Sequence, residues 1–103
     1  MTTVPHLTKA LAKIFANQPA AKTFELLSQI LTDKEIDYVE RRLRIALMLR
    51  QGNPYTKIQQ DLKVSAATVA VVAEQMKKPG FEDLINKLEK ELSRFKWISD
   101  RMK

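Results

Sequence analysis

Apolar residues recur every three or four positions along most of the 103-residue chain. No stretch alternates apolar with polar side chains as a half-buried strand would. His6 to Ala16 carries Leu7, Ala10, Leu11, Ile14 and Phe15 at helical spacing, one face of a short amphipathic helix. Asn17-Gln18-Pro19 ends it. Pro19 can then open a second helix to about Ile30, whose face is Phe24, Leu27 and Ile30/Leu31. Both are too short to persist alone in water, so they must pack on the rest of the chain or on a second copy.

Leu31-Thr32-Asp33-Lys34-Glu35 is the clearest local signal. Thr32 and Glu35 have the spacing of a capping box, in which hydroxyl and carboxylate each satisfy a free backbone N–H. Asp33 places negative charge at the positive helix end, and Leu31 stands where it can staple onto Ile36. The helix that follows is expected to run to about Arg50. Its apolar set is Ile36, Val39, Leu43 and Ala46/Leu47, widened by Ile45, Met48 and Leu49. That is too broad for a helix with one wet side, and predicts a central helix buried on more than one face. Gly52 is the expected left-handed stop.

After Asn53-Pro54-Tyr55, the stretch Thr56–Lys78 has the pattern of two short helices around a tight turn. Ile58 and Leu62 lie four apart on the first. Lys63-Val64-Ser65 breaks it, and the Ser65 hydroxyl suits a helix N-cap. The second helix carries Val69, Val72, Ala73 and Met76 at helical spacing. This is the form of a helix-turn-helix, which presents its second helix to the DNA major groove. An ordinary helical hairpin in a small all-α domain has the same pattern. Lys77-Lys78-Pro79-Gly80 reads as a break. Phe81 to Met102 then reads as one long final helix with Phe81, Leu84/Ile85, Leu88, Leu92, Phe95, Ile98 and Met102 on its face. Lys87 and Glu91 are spaced as an i,i+4 pair, and Trp97 stands off the main seam.

Composition supports one all-α domain over residues 1–103. Only two glycines and four prolines are present, and helix formers dominate. The net charge of +6 favours nucleic acid or an acidic partner, although solubility alone accounts for a charge of this size. The absence of cysteine excludes disulfides, thiolate metal sites and Cys nucleophiles. His6 is the only histidine, and there is no glycine-rich phosphate loop. No enzyme, metal or cofactor is therefore expected. Asp33, Glu35, Asp37 and Glu40 are explained by capping and surface charge. No apolar run approaches the ~18 residues of a membrane span. The start MTTVPHLTK has no basic segment followed by an apolar one, so a cytoplasmic location is the default.

The central helix and the helix pair together resemble the Trp repressor superfamily, and most closely its bacterial Trp-repressor-related branch. The residues that carry the resemblance are Leu31 to Glu35, Arg41-Arg42-Leu43-Arg44-Ile45 and Leu49-Arg50-Gln51-Gly52. After them come Tyr55, Ile58, Leu62 and Val64-Ser65-Ala66-Ala67-Thr68-Val69. The resemblance covers about residues 30–78. It implies about six helices in an intertwined homodimer with a helix-turn-helix head on each side, acting on double-stranded DNA as a transcriptional repressor. Two heads about one helical turn apart (~34 Å) would read a palindromic site.

The resemblance also implies a set of site residues. Ser65, Ala66, Ala67 and Thr68 would face the bases. Tyr55 and Thr56 would meet a phosphate, Gln59 would reach the backbone or a base edge, and Lys57, Lys63, Lys77 and Lys78 would contact phosphates. Arg42 and Thr32 match positions that hold tryptophan in the sensing repressor. Val71, however, stands where that repressor has its second arginine, so a small-molecule corepressor is not expected. Ser65 to Met76 contains no Lys or Arg, and Glu74 lies within it. A helical protein-interaction or scaffold module that no longer reads DNA specifically is the alternative.

Overall fold

A computed structural model describes residues 4–94, with side chains from residue 6 onward. Among these residues the chain is all helix and turn, with six helices in order: α1 Val4–Ala16, α2 Ala20–Ile30, α3 Asp33–Arg50, α4 Tyr55–Leu62, α5 Ala66–Gln75 and α6 Pro79–Arg94. The all-α reading holds. The expected final helix differs at its start, because Pro79 is its first residue rather than part of a break. The Lys78 carbonyl accepts from the Phe81 and Glu82 N–H groups at 3.1 and 3.0 Å. Proline suits that position, since its missing N–H has no helical partner to lose. The expected extension of this helix through Phe95, Ile98 and Met102, and Trp97 with it, lies outside the described residues.

Contacts gather into two units, one reaching to Asp37 and one beginning at Tyr38. In the first, α1 and α2 are joined by the Thr23 hydroxyl, which donates to the Phe15 carbonyl at 3.2 Å. No described side chain of α1 or α2 is fully buried. Leu7 is 70% exposed and Phe24 62% exposed. The Thr32 capping box forms as expected, with Glu35 Oε1 accepting from the Thr32 N–H at 2.8 Å and Thr32 Oγ1 from the Glu35 N–H at 3.1 Å.

The second unit holds the core. Ile45 and Ala46 of α3, Ile58 of α4, Val69 and Val72 of α5, and Ile85 of α6 are buried together. Leu43, Leu47, Met48, Leu49, Leu62, Val64, Met76, Phe81 and Leu88 pack around them. Each fully buried Val or Ile contributes about 1.5–3 kcal/mol. Within one chain, then, α3 is buried only toward its C-terminal end, while Tyr38 and Val39 stand exposed. Arg50 ties that end of α3 to α6 by donating to Asn86 Oδ1 and by pairing with Glu89 at 3.3 Å. Lys87 pairs not with Glu91 but with Asp83 at 2.8 Å, and Glu91 is taken by Arg94 at 3.6 Å. Lys87 has an acid one turn to either side, and it takes the N-terminal one.

α3 ends in a Schellman turn. The Asn53 N–H reaches the Met48 carbonyl at 3.0 Å, and the Gly52 N–H reaches that of Leu49 at 3.0 Å. Gly52 sits at φ 84°, where a side chain is strained, although a Cβ there would touch nothing within 4 Å. α4 also ends on a left-handed residue, Lys63 at φ 56°, with the Lys63 and Val64 N–H groups both reaching the Gln59 carbonyl. Substitution at these two caps should therefore act in opposite directions. Gly52→Ala is expected to destabilise by about 1–2 kcal/mol through backbone conformation alone, and Lys63→Gly to stabilise by about 0.5–1 kcal/mol. Urea unfolding of the two variants checks both signs.

Candidate nucleic-acid interface

The turn between α4 and α5 is built by three residues with different tasks. Lys63 takes the left-handed conformation, and its N–H donates to the Gln59 carbonyl. The Val64 N–H reaches the same carbonyl at 3.3 Å, and its side chain packs onto the core. Ser65 is extended, and its Oγ accepts from the Thr68 N–H at 3.1 Å. The capping role expected of Ser65 is thus met. Its hydroxyl also lies 2.9 Å from that of Thr68.

The core fixes which side of α5 faces out. Val69 and Val72 point inward, and Ala66, Ala67, Thr68, Ala70, Val71 and Glu74 are exposed. Val71 is 57% exposed. Tyr55 and Thr56 are exposed in the first turn of α4, and Gln59 is half-buried. Tyr55, Thr56, Lys57, Lys63, Ser65, Ala66, Ala67, Thr68, Lys77 and Lys78 are each exposed, and Gln59 is half-covered.

The four lysines are not equivalent. Lys57 pairs with Asp61 at 3.1 Å, and Lys77 with Glu74 at 2.8 Å. Among the described residues, Lys63 and Lys78 form no ion pair and are exposed. The hydrogen bond from Lys77, reinforced by its charge, holds the Glu74 carboxyl below the usual carboxylate range, against a small opposing effect of burial. The same bond and charge raise Lys77 above the ordinary lysine value, with a smaller push from the nearby Tyr55 phenol. These pairings have i,i+4 and i,i+3 spacing. The Ser65–Thr68 hydroxyl contact and the Arg50 bridge to α6 had no such charge-pair spacing.

The two expected ligand residues are placed differently. The Thr32 hydroxyl is engaged in its cap in the N-terminal unit. Arg42 is exposed on α3 in the C-terminal unit.

The tightly turned α4–α5 pair with its Ser-capped second helix has the form of a helix-turn-helix. The Trp repressor protein family model matches residues 5–91, and the chain belongs to that family of regulatory DNA-binding proteins. No curated protein and no solved structure matches it. No helix among the described residues is long and apolar enough to cross a membrane.

Removing Lys77 should release Glu74. In Lys77→Met the Glu74 carboxyl is expected to titrate at higher pH than in the parent, nearer the ordinary glutamate value, as followed by NMR of its side chain. The sign for stability follows from the lowered carboxyl. The pair helps the fold above the ordinary carboxylate range and loses that effect as pH falls through the depressed value. Both groups are fully solvated, so the effect on overall stability is small.

Proposed function

We propose that the chain is a sequence-specific DNA-binding transcriptional regulator, a repressor, that acts as a homodimer with α5 as its recognition helix. The family match across residues 5–91 is the observation that carries this reading, and the outward face of α5 supports it. Ser65, Ala66, Ala67 and Thr68 would approach the base edges, where small side chains allow close contact. Tyr55 and Thr56 would meet phosphate at the start of α4, and Gln59 would support them from the backbone side. Lys63 and Lys78 are available to phosphate without breaking an ion pair. Lys57 and Lys77 must exchange Asp61 and Glu74 for DNA.

A second copy would explain the apolar surface that one chain leaves uncovered. Leu7, Ile14, Phe24 and Ile30 on α1 and α2, with Tyr38 and Val39 on α3, are each about half exposed or more. Exposed apolar side chains that form a contiguous patch mark an interaction surface. Binding independent of tryptophan is proposed because Val71 offers no cation to a carboxylate. The absence of Lys and Arg from α5 favours the alternative, a protein-interaction module built on the same fold.

The test is binding to duplex DNA selected from a random pool, measured by fluorescence anisotropy across a salt series. Steep weakening with salt is expected, and no binding to any duplex at low salt would sink the proposal. Lys63→Ala and Lys78→Ala each leave one phosphate without its cation, and each is expected to shallow the log–log salt slope by about 1. Glu74→Gln is expected to tighten binding about two- to fivefold at low salt, by removing an acid that competes for Lys77. Light scattering should give a particle twice the 11.9 kDa chain mass.

A further inference from the structure

The outward face of α5 carries methyl groups where a DNA reader usually carries hydrogen-bonding heads. Ala67, Ala70 and Val71 are exposed at helical positions i, i+3 and i+4, and Glu74 follows at i+7. Val71 is the largest of them, with 57% of its surface in water although its neighbour Val72 is buried. The one polar side chain near the start of this face is already engaged. The Thr68 hydroxyl lies 2.9 Å from the Ser65 hydroxyl, which itself caps the Thr68 N–H at 3.1 Å. Thr68 also carries a methyl group, on an exposed residue. Glu74, an anion, is held by Lys77 at 2.8 Å and would sit at the far end of the face.

Bidentate hydrogen-bond readout of guanine or adenine needs Arg, Lys, Asn or Gln on that face. Between Ala66 and Glu74 there is none. Only one feature of the major-groove code is apolar, the C5-methyl group of a pyrimidine, which thymine carries and unmodified cytosine lacks. Ala67 and Val71 are four residues apart, which at ~1.5 Å rise per residue is about 6 Å along the helix. Successive bases on one strand are ~3.4 Å apart, so the face spans about two base steps.

We propose that α5 reads pyrimidine C5-methyl groups at adjacent base steps, with Val71 as the main specificity-determining residue and Ala67, Ala70 and the Thr68 methyl beside it. This rests on the helix-turn-helix acting on duplex DNA, and concerns which bases it selects. Sequences with thymines at those steps are bound best, and 5-methylcytosine substitutes for thymine wherever the rest of the base pair is tolerated. Lys63 and Lys78 supply an attraction to phosphate that carries no sequence information.

The experiment uses the full chain and the duplex selected from a random pool, at one fixed salt concentration. Each thymine is replaced in turn by deoxyuridine, which removes the methyl and keeps every hydrogen-bonding group. The expected result is a loss of about fourfold in affinity at each of one or two adjacent positions per half-site, and none elsewhere. A second arm places cytosine at the same positions with and without its 5-methyl group, and the methylated form is expected to bind more tightly. Val71→Ala separates a direct contact from altered DNA shape. The variant should bind the thymine duplex more weakly and lose most of its sensitivity to deoxyuridine, while its salt slope stays the same.

Equal affinity for thymine and deoxyuridine duplexes at every position would overturn the methyl readout and leave DNA binding standing. Undiminished deoxyuridine sensitivity in Val71→Ala would overturn the role given to Val71. Failure to select or bind any duplex at low salt would overturn the DNA-binding reading, and this inference with it.

Discussion

Ile45, Ala46, Ile58, Val69, Val72 and Ile85 remove one another's surfaces from water, and that contact sets the rotation of α4 and α5 about their own axes. A helix has one degree of freedom that its sequence does not fix locally, namely which side faces in. Ile58 fixes it for α4, and Val69 and Val72 fix it for α5. Once Val69 and Val72 point inward, Ala67, Ala70, Val71 and Glu74 can only point outward, because they lie on the other side of a 3.6-residue turn. The composition of the candidate interface is therefore a consequence of the core. The turn then fixes how the two helices meet. Lys63 bears a left-handed strain that glycine would avoid, and Ser65 recovers part of that cost by capping α5.

Electrostatics at this face is weaker than the lysine content suggests. Of the four lysines between Asn53 and Lys78, two are neutralised on their own helix or at its end, by Asp61 and by Glu74. Exposed pairs of this kind are worth little to stability, and a phosphate can displace them. Their effect falls on binding, since every contact that must first break an ion pair gains less than one that need not. The charge available for a duplex is centred on Lys63, in the turn, and Lys78, just before α6. With little net cation and no arginine on α5, the proposed DNA reading would draw its selectivity from shape and from apolar contact, terms that Val71 and its neighbours can supply.

Much of this was legible in the sequence. The capping box at Thr32 and Glu35, the stop at Gly52, the cap at Ser65 and the inward set Ile58, Val69 and Val72 are local signals, and each depends on spacing alone. The departures have physical reasons too. Pro79 reads as a breaker, yet at a helix's first position its missing N–H costs nothing, and the helix starts there. Lys87 has acids on both sides, and spacing could not choose between Asp83 and Glu91. The Arg50 bridge to Asn86 and Glu89 joins residues more than thirty apart, so no window of sequence contains it. The broad apolar set of α3 predicted burial on more than one face, and a single chain buries only the part near Ile45 and Ala46.

That remaining apolar surface constrains any account of the molecule. α1 and α2 are thirteen and eleven residues long, near the length at which isolated helices in water are marginal. Among the described side chains they bury none completely, so their packing against each other is partial. Something must offset the conformational entropy of holding them helical, and the hydrophobic effect is the only term large enough. The exposed Leu7, Ile14, Phe24 and Ile30 are the surface through which it can act, and the proposed second copy is the partner that carries a matching surface by symmetry. On that view folding of the N-terminal helices and assembly are one equilibrium, so the stability of α1 and α2 depends on protein concentration.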